Sequence, residues 1–140
     1  MRNSIILVII IAIAAFTAGL YFSKEAPKGT VSREQISLAL KNTYQGKEHP
    51  VYRYINTPVF WYGTLIRYKV APKNQVKLYL KVKDGPAGIP DTILVTKIKD
   101  PFEYFQIYHN KIIWFKGLIL RIDPDQTGNE MVFVRGYTVE

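Results

Sequence analysis

The chain contains no cysteine, and only two of its 140 residues are histidine. The first absence excludes a disulfide framework, a thiolate metal site, a cysteine nucleophile and the lipidated cysteine of a lipoprotein. The second leaves little for metal or acid–base chemistry. Charge is missing from one stretch and negative charge from another. No residue from Ile5 to Phe22 is charged, and no acid occurs between His49 and Lys83. There is no internal repeat and no low-complexity tract.

What is present is apolar and aromatic. The composition is 48% hydrophobic and 14% aromatic, with ten tyrosines. That is enough apolar surface to offset the entropy of ordering, so a folded domain is expected and intrinsic disorder is excluded. Beyond the first 22 residues the chain has the length for one small domain and no second.

Ile5–Phe22 reads IILVIIIAIAAFTAGLYF. A spanning helix needs roughly 20 apolar residues, whereas a cleavable signal has an apolar run of about 7 to 15. The segment therefore reads as an uncleaved signal anchor over residues 1–22. Cleavage would need small residues at minus three and minus one, which Ala12-Ile13-Ala14 offers only in the middle of the apolar run, and SKEAPKG has no good small-x-small site; a cleaved secretory peptide and a buried core helix are the lesser alternatives. Tyr21 and Phe22 suit an aromatic interface, with Lys24 just beyond. Basic residues lie on both sides of the run, so charge alone does not orient it. A short stub before the anchor favours an extracytoplasmic domain on the cytoplasmic (inner) membrane, facing the periplasm.

Residues 23–32 read as a linker, broken by Pro27 and Gly29. Ser32-Arg33-Glu34-Gln35 has the form of a capping box, and Ile36, Ala39, Leu40, Thr43 and Tyr44 follow at helical spacing. Gly46 sits where a left-handed cap belongs, so an amphipathic helix is expected over 33–46. From Val51 to the end at 140 the signals are β-rich. Val76–Lys83 alternates apolar Val76, Leu78, Leu80 and Val82 with Lys77, Tyr79, Lys81 and Lys83, so one face is buried and one solvated. Val59–Val70 is a strand interrupted by Gly63, where a bulge or corner is expected. Residues 71–75 form a hairpin loop. Thr92–Lys99 is the next strand, and Asp100–Gln106 is a short helical turn capped by Asp100, with its aromatics facing inward. Lys111–Asp123, with a central Gly117, and Met131–Val139 complete the series.

This order resembles the OB-fold, a five-stranded Greek-key barrel with a helix between its third and fourth strands. The resemblance covers about residues 57–139 and rests on layout. It implies an OB-like barrel, so that the chain as a whole is expected to be mainly β, with the N-terminal transmembrane helix and the short amphipathic helix preceding the barrel. Tyr62-Gly63-Thr64 and Lys116-Gly117-Leu118 are similar to segments of nucleic-acid-binding-like OB domains in bacterial envelope proteins. VKLYLKVKDG, DPFEYF and WFKG follow the order seen in the periplasmic haem chaperone of cytochrome c maturation. The chaperone's haem-attaching histidine has no counterpart here, since no histidine follows His109. No cofactor is expected.

Two surfaces stand out. Tyr52, Tyr54, Trp61 and Tyr62 cluster around the first strand, and amphipathic aromatics of this kind are enriched at protein interfaces. They are the expected partner surface. Arg67, Lys69, Lys77, Tyr79, Lys81 and Lys83 form a basic, aromatic-bearing set that suits an anionic ligand. Lysines on a strand face also guard against edge pairing. Asp123–Glu130 begins like a calcium loop, but its twelfth position is Val134 where a bidentate glutamate is needed, so a hairpin turn is expected. GPAGIPD lacks the lysine of a phosphate loop. Neither His49 nor His109 has a serine or carboxylate placed for catalysis, and an enzyme is not expected. The expectation is a single-pass membrane protein that works by binding, as an accessory or assembly subunit for other envelope proteins. Its rivals are an OB-type binder of anionic polymer or single-stranded nucleic acid and, more distantly, a haem-chaperone-like protein.

Overall fold

The computed structural model describes residues 29–41, 48–83, 85–86 and 88–139. Ile5–Phe22 and residues 42–47 lie outside them, so the anchor and the end of the first helix are not among the described elements. Among the described residues no helix is long and apolar enough to cross a membrane.

Helix α1 (Arg33–Lys41) begins where its capping box specifies. The Gln35 N–H donates to Ser32 Oγ at 3.1 Å, and the Ser32 N–H donates to Gln35 Oε1 at 2.9 Å. Two of the free N–H groups of a helix start are thereby satisfied reciprocally. Ile36 and Ala39 are buried, while Leu38 points outward.

Five strands follow: β1 (Pro58–Ala71), β2 (Gln75–Lys81), β3 (Asp91–Val95), β4 (Ile112–Ile122) and β5 (Val132–Val139). They close into a barrel in the order β1-β2-β3-β5-β4, an order compatible with an OB-like fold. All pairs are antiparallel except β3 with β5. Closure depends on β1, whose first half pairs with β4 and whose second half pairs with β2. Thr64 is the residue shared by both ladders, directly after Gly63, so the glycine sits where the strand changes partner. The bulge itself falls three residues later, between Leu65 and Arg67.

Several boundaries differ from the sequence reading. Val51 and its neighbours belong to a 3₁₀ helix, Pro50–Tyr54, capped by His49, whose Nδ1 accepts from the Val51 N–H at 3.1 Å. The strand expected to reach Lys99 ends at Val95, because the chain turns away to enter helix α2 (Pro101–Tyr108). Asp100 caps α2 by accepting from the Glu103 N–H at 3.1 Å. Its aromatics do not all face inward. Tyr104, Phe105 and Tyr108 pack against the core, with Phe105 5.0 Å from the Tyr68 ring, but Phe102 is exposed.

The barrel interior is filled by Leu65, Leu78, Leu80, Ile93, Phe115, Ile119, Val132 and Val134. Each such side chain contributes roughly 1.5–3 kcal/mol by burial. α1 is tied to the core through Ile36 and through Arg33, whose Nε donates to Asp91 Oδ2 at 2.6 Å. Arg33 also donates to Ser37 Oγ at 2.6 Å, which ties the pair back to the helix. Burial, the largest influence, raises the Asp91 carboxyl above its ordinary value, and the attraction of Arg33 offsets only part of that.

Candidate functional site

Cross-strand partners share a face, so the ladders decide which candidate residues meet. Arg67 pairs with Tyr79, and Lys69 with Lys77. Tyr79 pairs onward with Thr92, Thr92 with Phe133, and Phe133 with Arg121. The outer surface thus carries a belt in which cations lie over rings. The Arg67 guanidinium is 4.1 Å from the Tyr79 ring centre, Lys77 Nζ is 5.1 Å from Phe133, and the Arg121 guanidinium is 5.2 Å from Phe133 on β5. Arg67 and Lys77, the latter with its Nζ 5.9 Å from the ring centre, lie over Tyr79, which is only 7% exposed. Its ring is a support for cations and offers no open platform for a base to stack on.

Glu130 sits at the centre of the belt. It is buried, and its carboxylate accepts from Thr92 Oγ1 at 2.9 Å and from Arg121 Nη2 and forms an ion pair with Lys77 Nζ at 3.4 Å. Two hydrogen bonds and two cations make this burial tolerable, since a lone carboxylate would be strongly disfavoured there. A groove of about 710 Å³ runs beside it, lined by Tyr52, Lys69, Lys77, Arg121, Asp123 and Asp125 among others. Asp123 organises the loop that forms one wall: its carboxylate accepts from the N–H groups of Asp125 and Gly128 and from the Thr127 hydroxyl. The β4–β5 connection is a hairpin, and this aspartate holds it closed. In the groove, Lys69, Lys77 and Arg121 face Asp123, Asp125 and Glu130, so the charges nearly balance.

Lys81 and Lys83 do not join this belt. Lys81 pairs with Thr64, before the bulge, and Lys83 lies past the end of β2. Both line a second groove with Tyr62 and Ile112. The six residues of the basic set are therefore divided between two sides of the barrel.

The four aromatics around the start of β1 are divided as well. Trp61 is 4% exposed and belongs to the core, where its Nε1–H donates to the Val31 carbonyl at 2.8 Å and its ring meets Phe115 edge-on. It presents no surface to a partner. Tyr52 and Tyr54 lie on the 3₁₀ helix, Tyr52 exposed beside the mixed-charge groove and Tyr54 half-buried under Arg53. Tyr62 stands on the outer face of β1 and stacks on Trp114 at 4.7 Å, with Phe60 on Trp114 at 5.1 Å. Lys116 lies over Phe60 and pairs with Tyr137 on β5. Ile112 (61% exposed) and Tyr137 (54%) extend this aromatic face.

Reading β1 by eye misses this division because Val59, Phe60, Trp61 and Tyr62 are all apolar or aromatic, which hides the alternation of faces. Phe133, Arg121 and Glu130 are far from β2 in sequence, and only the closure of the barrel brings them to it. The one local signal was the alternation of Trp114, Lys116 and Leu118 along β4.

The two histidines are used structurally, His49 as the 3₁₀ cap and His109 with its ring against Phe105 at 4.5 Å. No protein-family model matches this chain, and no curated protein matches it.

Proposed function

We propose that this chain is a membrane-anchored, extracytoplasmic binding module with an OB-like barrel that serves as an accessory subunit for other envelope proteins. The groove beside Glu130 is where it holds them. The observation that carries this reading is the near balance of charge there: Lys69, Lys77 and Arg121 stand against Asp123, Asp125 and Glu130, with Tyr52 exposed at the rim. A phosphate-bearing polymer requires a strongly positive track. A protein surface is matched by mixed charge around tyrosine and arginine anchors.

The test is a mild-detergent capture of the full-length chain, with proteins and nucleic acid in the eluate identified at low and high salt. The expected result is a defined membrane-protein complex that survives high salt. Recovery of nucleic acid or acidic polymer alone, washed away by salt as counterion release demands, would replace this reading with the anionic-polymer one.

A further inference from the structure

The aromatic face centred on β4 and the point where the chain enters the fold lie together. Thr30, Val31 and Ser32 line a groove with Phe60, Tyr62 and Lys83. They are pinned there, because the Val31 N–H donates to the Pro58 carbonyl at 3.1 Å and the Val31 carbonyl accepts from Trp61. Only six residues, Ser23 to Lys28, separate Phe22 from Gly29. At no more than about 3.4 Å per residue they reach roughly 20 Å. A bilayer holding Ile5–Phe22 is therefore kept close to this face.

The chemistry of the face suits a bilayer surface. Tyr62, Trp114 and Tyr137 are amphipathic rings of the kind that settle at headgroup level, with exposed Ile112 among them. Lys81, Lys83 and Lys116 surround them, and Glu34 is the one acid lining either adjoining groove among the described residues. Basic residues close to an anionic leaflet contribute attraction, and lysine stems let the charge reach a phosphate while the chain lies along apolar surface.

We infer that the outer face of β1, β4 and β5, from Phe60 and Tyr62 through Trp114 to Tyr137, seats on the anionic headgroup layer of the membrane that holds the anchor. This rests on the anchor reading. It also fixes how the barrel is presented. In the order β1-β2-β3-β5-β4, strand β4 is separated from β2 by β1 and from β3 by β5. Seating on β4 leaves the β2–β3 side, with Tyr79, Lys77 and Thr92, turned away from the lipid.

The experiment uses the full-length chain reconstituted into vesicles of equimolar phosphatidylcholine and phosphatidylglycerol, with ordinary or brominated acyl chains. Alkaline carbonate extraction reads the anchor. Quenching of tryptophan emission by bromine reads the face, because Trp61 is in the core and Trp114 is on the face; Trp114→Phe isolates the difference. The expected result is a carbonate-resistant protein whose emission is quenched more than that of Trp114→Phe. Reversing Lys81, Lys83 and Lys116 to glutamate should then remove the excess quenching without releasing the protein. Carbonate resistance with equal quenching of wild type and Trp114→Phe would overturn the seating and leave the anchor standing. Excess quenching that persists after the lysine reversals would overturn the role of anionic headgroups. Release by carbonate would overturn the anchor reading and the seating with it. A change in Trp114 emission on adding a single-stranded oligonucleotide, without bromine quenching, would assign the face to a polymer instead.

Discussion

Gly136→Ala should destabilise the barrel by several kcal/mol, on the order of the worst overpacking substitutions, and lower its unfolding temperature by 10 °C or more. Gly136 on β5 and Gly117 on β4 are cross-strand partners. A Cβ on Gly136 would collide with the Lys116 carbonyl oxygen and lie 2.7 Å from Gly117 Cα. Both are backbone atoms of a neighbouring strand, so no rotamer change relieves the clash, and the ladder must move. Gly128→Ala is the internal control. There the nearest atom is Asp123 Oδ2 at 3.1 Å, a tight contact but no overlap with backbone, so a few tenths of an ångström of adjustment suffices and the cost should stay at about 1 kcal/mol. Thermal unfolding of both variants in the same detergent checks the contrast. Equal small effects would mean that β4 and β5 are not held as closely as this pair requires.

The second large effect concerns Arg33 and Asp91. Both are buried, and removing either leaves the other as an uncompensated buried charge. Arg33→Met or Asp91→Val should each cost about 3–5 kcal/mol, whereas the two changes together should cost less than either alone. A denaturant double-mutant cycle measures this coupling. The pair also has a pH signature. Burial raises the folded-state pKa of Asp91, so the folded protein binds this proton more tightly than the unfolded chain. The contribution is fully present below the ordinary carboxylate value and is lost as pH rises through the raised one. Relative to Asp91→Asn, wild type should therefore lose stability as pH rises above about 4, the ordinary carboxylate value. The opposite slope would show that the Arg33 attraction outweighs the burial.

Local patterns made much of the barrel legible. The alternation in VKLYLKVK placed Leu78 and Leu80 inside, and Asp100-Pro101 marked the start of α2, because each depends on residues adjacent in sequence. The capping box at Ser32 did the same for α1. Long-range pairing was not legible. Tyr79 alternates as an outward residue, yet Arg67 from β1 and Lys77 cover it. Glu130 reads as a loop acid, and only the approach of Thr92 and Lys77 across the barrel makes it the centre of the belt. Trp61 illustrates the opposite error. Its size and neighbours suggest surface display, but its parity along β1 sends it into the core.

In the proposed reading lipid holds the β4-centred side of the barrel and a protein partner is held at the groove beside Glu130. The measurement that tests the central part most directly is capture of the membrane partner by full-length Tyr52→Ala combined with Lys69→Glu. Both side chains are exposed at the groove, and neither contributes to the core or to the Glu130 cluster. The account predicts that recovery falls about 30-fold, the equivalent of roughly 2 kcal/mol at an interface hot spot, with an unchanged unfolding temperature. Undiminished capture of the same complex by this double variant would contradict it.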